Sequence, residues 1–246
     1  MAPLPKILII LHQETSTPGR IGMMLKAMGH ELDIRRPCVG DTLPATMDDH
    51  AGAVIFGGPM SANDKEPWIA REIDWIGVPL KEEKPFLGVC LGAQMLSMQL
   101  GGAVGPGNSG LVEIGYYPIE PVNGGDGINH WPQMVYQWHR ESFSLPREAK
   151  LFASSERFEN QAFRYGPAAY GIQFHAEVTR LTMHRWVVSG AHRFSLPGAQ
   201  HGHEHLEHQL VHDSDVKNWL AIFLRRWLEK GAKNIGKNSE MVEAAQ

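Results

Sequence analysis

The stretch from Lys84 to Leu100 constrains this chain more than any other. Phe86, Leu87, Gly88 and Val89 read as a short buried strand, and Leu91, Met95, Leu96 and Leu100 then recur at helical spacing. Cys90 stands where the strand turns sharply into the helix. Glycines at 88 and 92 make the pattern Gly-x-Cys-x-Gly, the thiol counterpart of a Gly-x-Ser-x-Gly elbow. In such an elbow small flanking residues let a strained turn push the nucleophile out of the sheet. The turn also sets the sulfur at a helix N-terminus, where free N–H groups and partial positive charge favour thiolate. A lone cysteine is otherwise a small core residue; the glycines and the strand-to-helix switch favour the nucleophile.

The flanking sequence supplies a sheet for that elbow. Ile7 to Leu11 is a continuous apolar run typical of a parallel strand covered on both faces. Ile21, Met24, Leu25 and Met28 follow at helical spacing, with Gly29 as a C-terminal stop. Glu31–Ile34 and Ala51–Phe56 read as further strands, the latter ending at Gly57-Gly58-Pro59-Met60-Ser61. A glycine pair there lets backbone N–H groups approach a ligand at the carboxyl edge of the sheet. Pro67 opens a helix whose apolar face is Ile69, Ile73, Ile76 and Leu80. This alternation predicts an α/β fold: an open, mostly parallel, doubly wound sheet, flavodoxin-like and three-layered. After Gly102 the pieces Leu111–Ile119, Met134–Trp138, Lys150–Ser154 and Gln161–Arg164 read as antiparallel strands added to the sheet.

Residues 1–230 are expected to form a single domain and 231–246 a polar, frayed tail. Leu181, His184, Arg185 and Val188 suggest a helix, and His201 to His212 a solvated loop rather than a metal site. Asp213-Ser-Asp215 then caps a last helix carrying Trp219, Leu220, Phe223, Leu224 and Trp227, which Gly231 stops. With 246 residues and a formal net charge of −4, the chain has no general attraction for nucleic acid or an anionic membrane. Two cysteines, no leader-like start and no apolar run of roughly 18 residues point to a cytoplasmic protein.

In Tyr170-Gly-Ile-Gln-Phe-His175-Ala-Glu177 the histidine and glutamate stand at i and i+2, the same face of a strand. Cys90, His175 and Glu177 then supply nucleophile, base and orienting carboxylate. The N–H groups of Leu91 and Gly58 are the candidate oxyanion hole. Gly-Gly-Pro-Met-Ser (57–61), Gly-Val-Cys-Leu-Gly-Ala-Gln (88–94) and Gln-Phe-His-Ala-Glu (173–177), in this order, resemble a class I glutamine amidotransferase domain. The resemblance covers roughly residues 6–190 and looks nearest to stand-alone proteins related to the amidotransferase domain of GMP synthase. It implies that Cys90 attacks the glutamine side-chain amide, that ammonia leaves and that water hydrolyses a γ-glutamyl thioester. It also implies that Gln94 lines the glutamine pocket and that the segment holding Trp138 and His139 grips the amino-acid end. Ala93 and Ala176 depart from the family pattern, Ala176 standing where proline is usual. No cofactor or metal is implied, and the substrate is glutamine or a γ-glutamyl compound.

No phosphate-cradling glycine loop of an ATP-driven acceptor domain occurs in the chain. Three readings remain: a glutaminase, with a separate synthetase subunit or acting alone; a γ-glutamyl peptide or conjugate hydrolase or transferase with the same triad; and a non-catalytic subunit serving a partner.

Overall fold

Four hydrophobic residues in a row, Ile7 to Ile10, are all buried in the first strand, β1 (Lys6–Ile10), because helices cover both faces of the sheet it belongs to. The computed structural model describes residues 4–243. After β1 come α1 (Gly19–Ala27), β2 (Leu32–Arg35), β3 (His50–Ile55), α2 (Pro67–Trp75), α3 (Gly77–Lys81), β4 (Phe86–Val89) and α4 (Leu91–Gln99). Then follow β5 (Val104–Pro106), β6 (Glu113–Pro118), β7 (Glu120–Pro121), β8 (Met134–His139), β9 (Glu141–Phe143), β10 (Lys150–Ser154), β11 (Ala162–Tyr165) and β12 (Ala169–Ile172). Helices α5 (Arg180–Ser189) and α6 (Gly202–Glu243) close the chain.

The central sheet has eight strands in the order β2-β1-β3-β4-β12-β11-β10-β7. From β2 to β12 neighbours run parallel; β11, β10 and β7 extend the sheet antiparallel. This is the expected doubly wound, three-layer architecture, with the chain reversing its direction of winding at β1 and β3. On one face Ile7, Ile9, Val54, Leu87 and Val89 pack against Ile21 and Leu25 of α1 and Trp219, Leu220, Phe223 and Trp227 of α6. On the other, Leu8, Ile10, Ala53, Ile55 and Phe86 meet Ile69 and Trp75 of α2 and Leu91, Met95 and Leu96 of α4. The carboxyl ends of β1, β3, β4 and β12 therefore converge on one edge.

Several local expectations are corrected. Strands β6 and β8 leave the central sheet and pair with each other, because Tyr116 and Tyr136 bury against Val178 and Met183 in a small core of their own. The second helix breaks at Ile76, giving α2 and α3, where Gly77 and Pro79 follow. In α5 the buried residue is Met183 while Leu181 and Val188 face outward. The histidine-rich segment is helix, the first part of α6, which begins at Gly202 and whose backbone runs past Gly231 to Glu243. His205 and Gln209, both buried, continue the stripe of Val216, Leu220 and Trp227 at helical spacing. Polar side chains carry that stripe, so hydrophobicity alone starts the helix too late. His205 sits between the Tyr136 hydroxyl and the Gln200 carbonyl, and burial pushes its pKa down to about 4. Asp213 does not cap the helix; it lies within it and accepts from Arg20 of α1 at 2.6 Å.

Candidate active site

The turn after β4 is strained at one residue. Cys90 has φ +51° and ψ −105°, a conformation that costs a non-glycine residue about 1–3 kcal/mol and persists only where its surroundings over-determine it. Its N–H donates to Ile172 O of β12 at 2.8 Å, and its carbonyl accepts the N–H groups of Ala93 and Gln94. Both flanking glycines are needed for close approach. A Cβ on Gly88 would lie 2.3 Å from Gly92 O, and one on Gly92 would lie 2.2 Å from Ile55 O. The sulfur thus emerges between β3 and β12 at the start of α4.

His175 does not lie on the strand that was expected to present it. β12 ends at Ile172, and His175 and Glu177 follow in the loop beyond, so simple strand alternation is not what pairs them. The pairing itself is present: Nδ1 of His175 is 2.7 Å from Glu177 Oε1, which leaves Nε2 for other work. His175 N–H donates to Tyr136 O, and Glu177 O accepts the N–H of Arg20. The ring of Trp186 meets the imidazole edge-on at 4.9 Å. Burial disfavours a charged His175, but the carboxylate of Glu177 and the sulfur of Cys90 outweigh it and raise its pKa to about 10. Gly57 closes the group, since a Cβ there would lie 2.9 Å from His175 Cε1 and 3.4 Å from Cys90 Cβ.

Cys90, His175, Glu177, Gly57, Gly58, Leu91, Gln94, Trp138 and His139 all line one cavity of about 950 Å³. The backbone N–H groups of Gly58 and Leu91 have no hydrogen-bond acceptor among the described residues. Gln94 Nε2 donates to Glu141 O at 2.9 Å and reaches Gln173 Oε1. The ring of His139 turns inward between Glu113 Oε2, at 3.1 Å, and Glu141 O. Its side chain is only 1% exposed, so the surface it gives the cavity is chiefly main chain. The far wall holds Arg140, Arg185, Trp186 and Arg193.

Sequence reasoning missed four supporting groups. Gln173, within a quoted motif but assigned no role, donates from Nε2 to the Cys90 sulfur at 3.6 Å. Glu113 and Gln161 hold His139 and each other. His12, at the end of β1, joins Gly57 to Glu72 of α2. Only Glu72 had a readable signal, a carboxylate on the same helix face as Ile69, Ile73 and Ile76. Among the described residues no group of three or more His, Cys, Asp or Glu side chains is arranged to hold a metal ion, and no helix is long and apolar enough to cross a membrane.

This elbow and its facing histidine, set at the carboxyl edge of a doubly wound sheet, define a cysteine-centred amidotransferase class of site. The chain belongs to the class-I glutamine amidotransferase family, whose description, "Glutamine amidotransferase class-I", matches residues 21–188. It is 29% identical to the glutamine amidotransferase-like protein YfeJ of Salmonella typhimurium over 71% of this chain and 76% of that one. It is 31% identical to a glutamine-hydrolyzing GMP synthase subunit of Ignicoccus hospitalis, over 63% of this chain and 79% of the relative. Against the longer GMP synthase of Aeropyrum pernix the match spans only 31% of the relative's length. The crystal structure of a glutamine amidotransferase from Thermotoga maritima superposes with a TM-score of 0.83 at 33% identity, over 92% of this chain and 98% of that one.

Proposed function

We propose that the protein hydrolyses the side-chain amide of glutamine through Cys90, His175 and Glu177. The observation that carries this reading is the strained Cys90 turn in one cavity with a histidine whose Nδ1 is fixed on a buried carboxylate at 2.7 Å. The Cys90 thiolate attacks the amide carbon, and the N–H groups of Gly58 and Leu91 receive the developing oxyanion. Protonated His175 gives its Nε2 proton to the leaving nitrogen, the C–N bond breaks and ammonia departs, leaving a γ-glutamyl thioester. His175, now neutral, takes a proton from water as the water attacks the thioester; the C–S bond breaks and glutamate leaves. Glu177 holds the ring in the required tautomer throughout. Gln94 and the main chain at Trp138 and His139 hold the amino-acid end of the substrate.

A second reading rests on the size and charge of the cavity. At about 950 Å³, with Arg140, Arg185 and Arg193 on its wall, it is at the top of the range for small-molecule sites. That suits a γ-glutamyl peptide or conjugate with an anionic leaving group. Glutamate release from glutamine and from a γ-glutamyl dipeptide, compared by kcat/KM on the purified protein, separates the two. Higher kcat/KM for the dipeptide selects the second reading; release from neither compound removes both.

Two of the GMP synthase relatives are, by their names, single subunits of a larger enzyme, which supports a synthetase partner for this chain. The preferred reading is a hydrolase that works without one.

A further inference from the structure

His12 and Glu72 are 60 positions apart, belong to no recognisable motif and have side chains with 0% exposure. Nε2 of His12 lies 2.8 Å from Glu72 Oε1, and Nδ1 lies 3.1 Å from the carbonyl oxygen of Gly57. A carbonyl oxygen only accepts, so Nδ1 must carry a proton to bond it. Burial opposes charge on the ring, but the Glu72 carboxylate and the Gly57 carbonyl outweigh it and raise the His12 pKa. Trp68 stacks over the imidazole at 5.6 Å, covering the pair.

The Gly57 carbonyl and the Gly58 N–H belong to the same peptide unit. The chain has no cis peptide bonds among the described residues, and in a trans peptide C=O and N–H point in opposite directions. Holding the carbonyl on His12 therefore turns the Gly58 N–H away from His12. Such a hold is needed, because a peptide between two glycines rotates with little steric resistance. The Gly57 Cα is itself packed against Cys90 and His175, so the orientation of this one peptide decides whether a donor faces the reacting carbon.

We propose that His12, held by Glu72, is a positioning residue that clamps the Gly57–Gly58 peptide with its N–H turned to the oxyanion of the tetrahedral intermediate. This rests on the reading of Gly58 as an oxyanion donor. The clamp touches no substrate; it acts through the peptide.

Hydrolysis forms an oxyanion, whereas alkylation of Cys90 by chloroacetamide displaces chloride from carbon and forms none. The two rates therefore separate the clamp from a role in the fold or in the nucleophile. His12→Phe fills the space without a donor, and His12→Asn restores a donor to Gly57. With glutamine or the γ-glutamyl dipeptide, whichever the wild type turns over, His12→Phe should lower kcat roughly 10²–10³-fold, the loss associated with one oxyanion donor. KM and the alkylation rate should stay within about threefold and His12→Asn should recover at least about tenfold of the loss, margins set by the scale of that effect. An unchanged kcat in His12→Phe, or alkylation falling in parallel with hydrolysis, overturns the clamp while leaving the triad standing. A second measurement needs no variant: the ¹⁵N spectrum of the wild-type histidines should show His12 Nδ1 protonated at neutral pH, and an unprotonated Nδ1 overturns the proposal. A wild-type protein that turns over neither compound removes the underlying reading, and the clamp with it.

Discussion

Cys90 is one of two free thiols, and its surroundings differ from those of Cys38 in ways that chemistry can read. Cys38 is half-buried on a short turn, its sulfur 3.9 Å from Leu11 O, and burial pushes its pKa up. A glutamine-like chloroketone should therefore label Cys90 and not Cys38; peptide mapping that finds the label on Cys38 contradicts the nucleophile assignment. Cys90→Ala should reduce turnover to background. Glu177→Gln should leave roughly 10²-fold more, because in a comparable triad losing the nucleophile costs about 2 × 10⁶ and losing the orienting carboxylate about 3 × 10⁴. His175 carries a pH signature as well. Its pKa is raised from 6.5 to about 10 in the fold, so its pairing contributes stability that is fully present below about 6.5 and is lost as pH rises through about 10. Because Cys90 is one of the causes, Cys90→Ala should lower the midpoint of the His175 ring titration followed by NMR. An unchanged midpoint would show that sulfur and ring do not interact.

At the scale of elements, α6 holds the site from behind. Trp219 is fully buried and packs on Phe174, the residue before His175, and on Phe223 and Trp131. Trp219→Ala should cost about 3–5 kcal/mol, read as a fall in melting temperature of roughly 6–20 °C for a chain of this size. Val188 on α5 and Leu210 on α6 are 77% and 70% exposed, so serine at either should change stability by no more than about 0.5 kcal/mol. Leu181, Val188 and Met183 also show why α5 was only partly legible. The pattern announced a helix, but which stripe faces inward was decided by the ribbon of β6 and β8, whose own pairing depends on contacts distant in sequence.

For the whole molecule the open matter is self-sufficiency. We propose that residues 1–230 are one working unit. The last side chain of that span, Lys230, meets Asp126 Oδ2 and the Tyr170 hydroxyl, each at 2.6 Å, and so ties α6 to the central sheet. A chain truncated after Lys230 should keep the melting temperature and kcat of the full chain; loss of either places essential contacts in 231–246. Ammonia release by the purified protein should need no second protein. Negligible release from every γ-glutamyl compound, restored by a retained ATP-using synthetase, would assign the chain to a two-part enzyme.

The identity of the nucleophile, the parallel sheet and its layers were legible because each depends on short-range pattern. An apolar run of four residues must be buried on both faces, and two glycines around a cysteine mean little except a backbone that passes close to something. Tertiary structure decided the rest. It ended β12 before His175 and still brought that ring to Glu177, by anchoring the loop on Tyr136 and Arg20. It made a helix of the histidine-rich segment, because His205 and Gln209 found partners or cover that no local pattern reveals. It also placed the His12–Glu72 pair beneath the glycine loop: a buried ion pair depends on which elements meet, and two residues 60 positions apart carry no periodicity that announces the meeting.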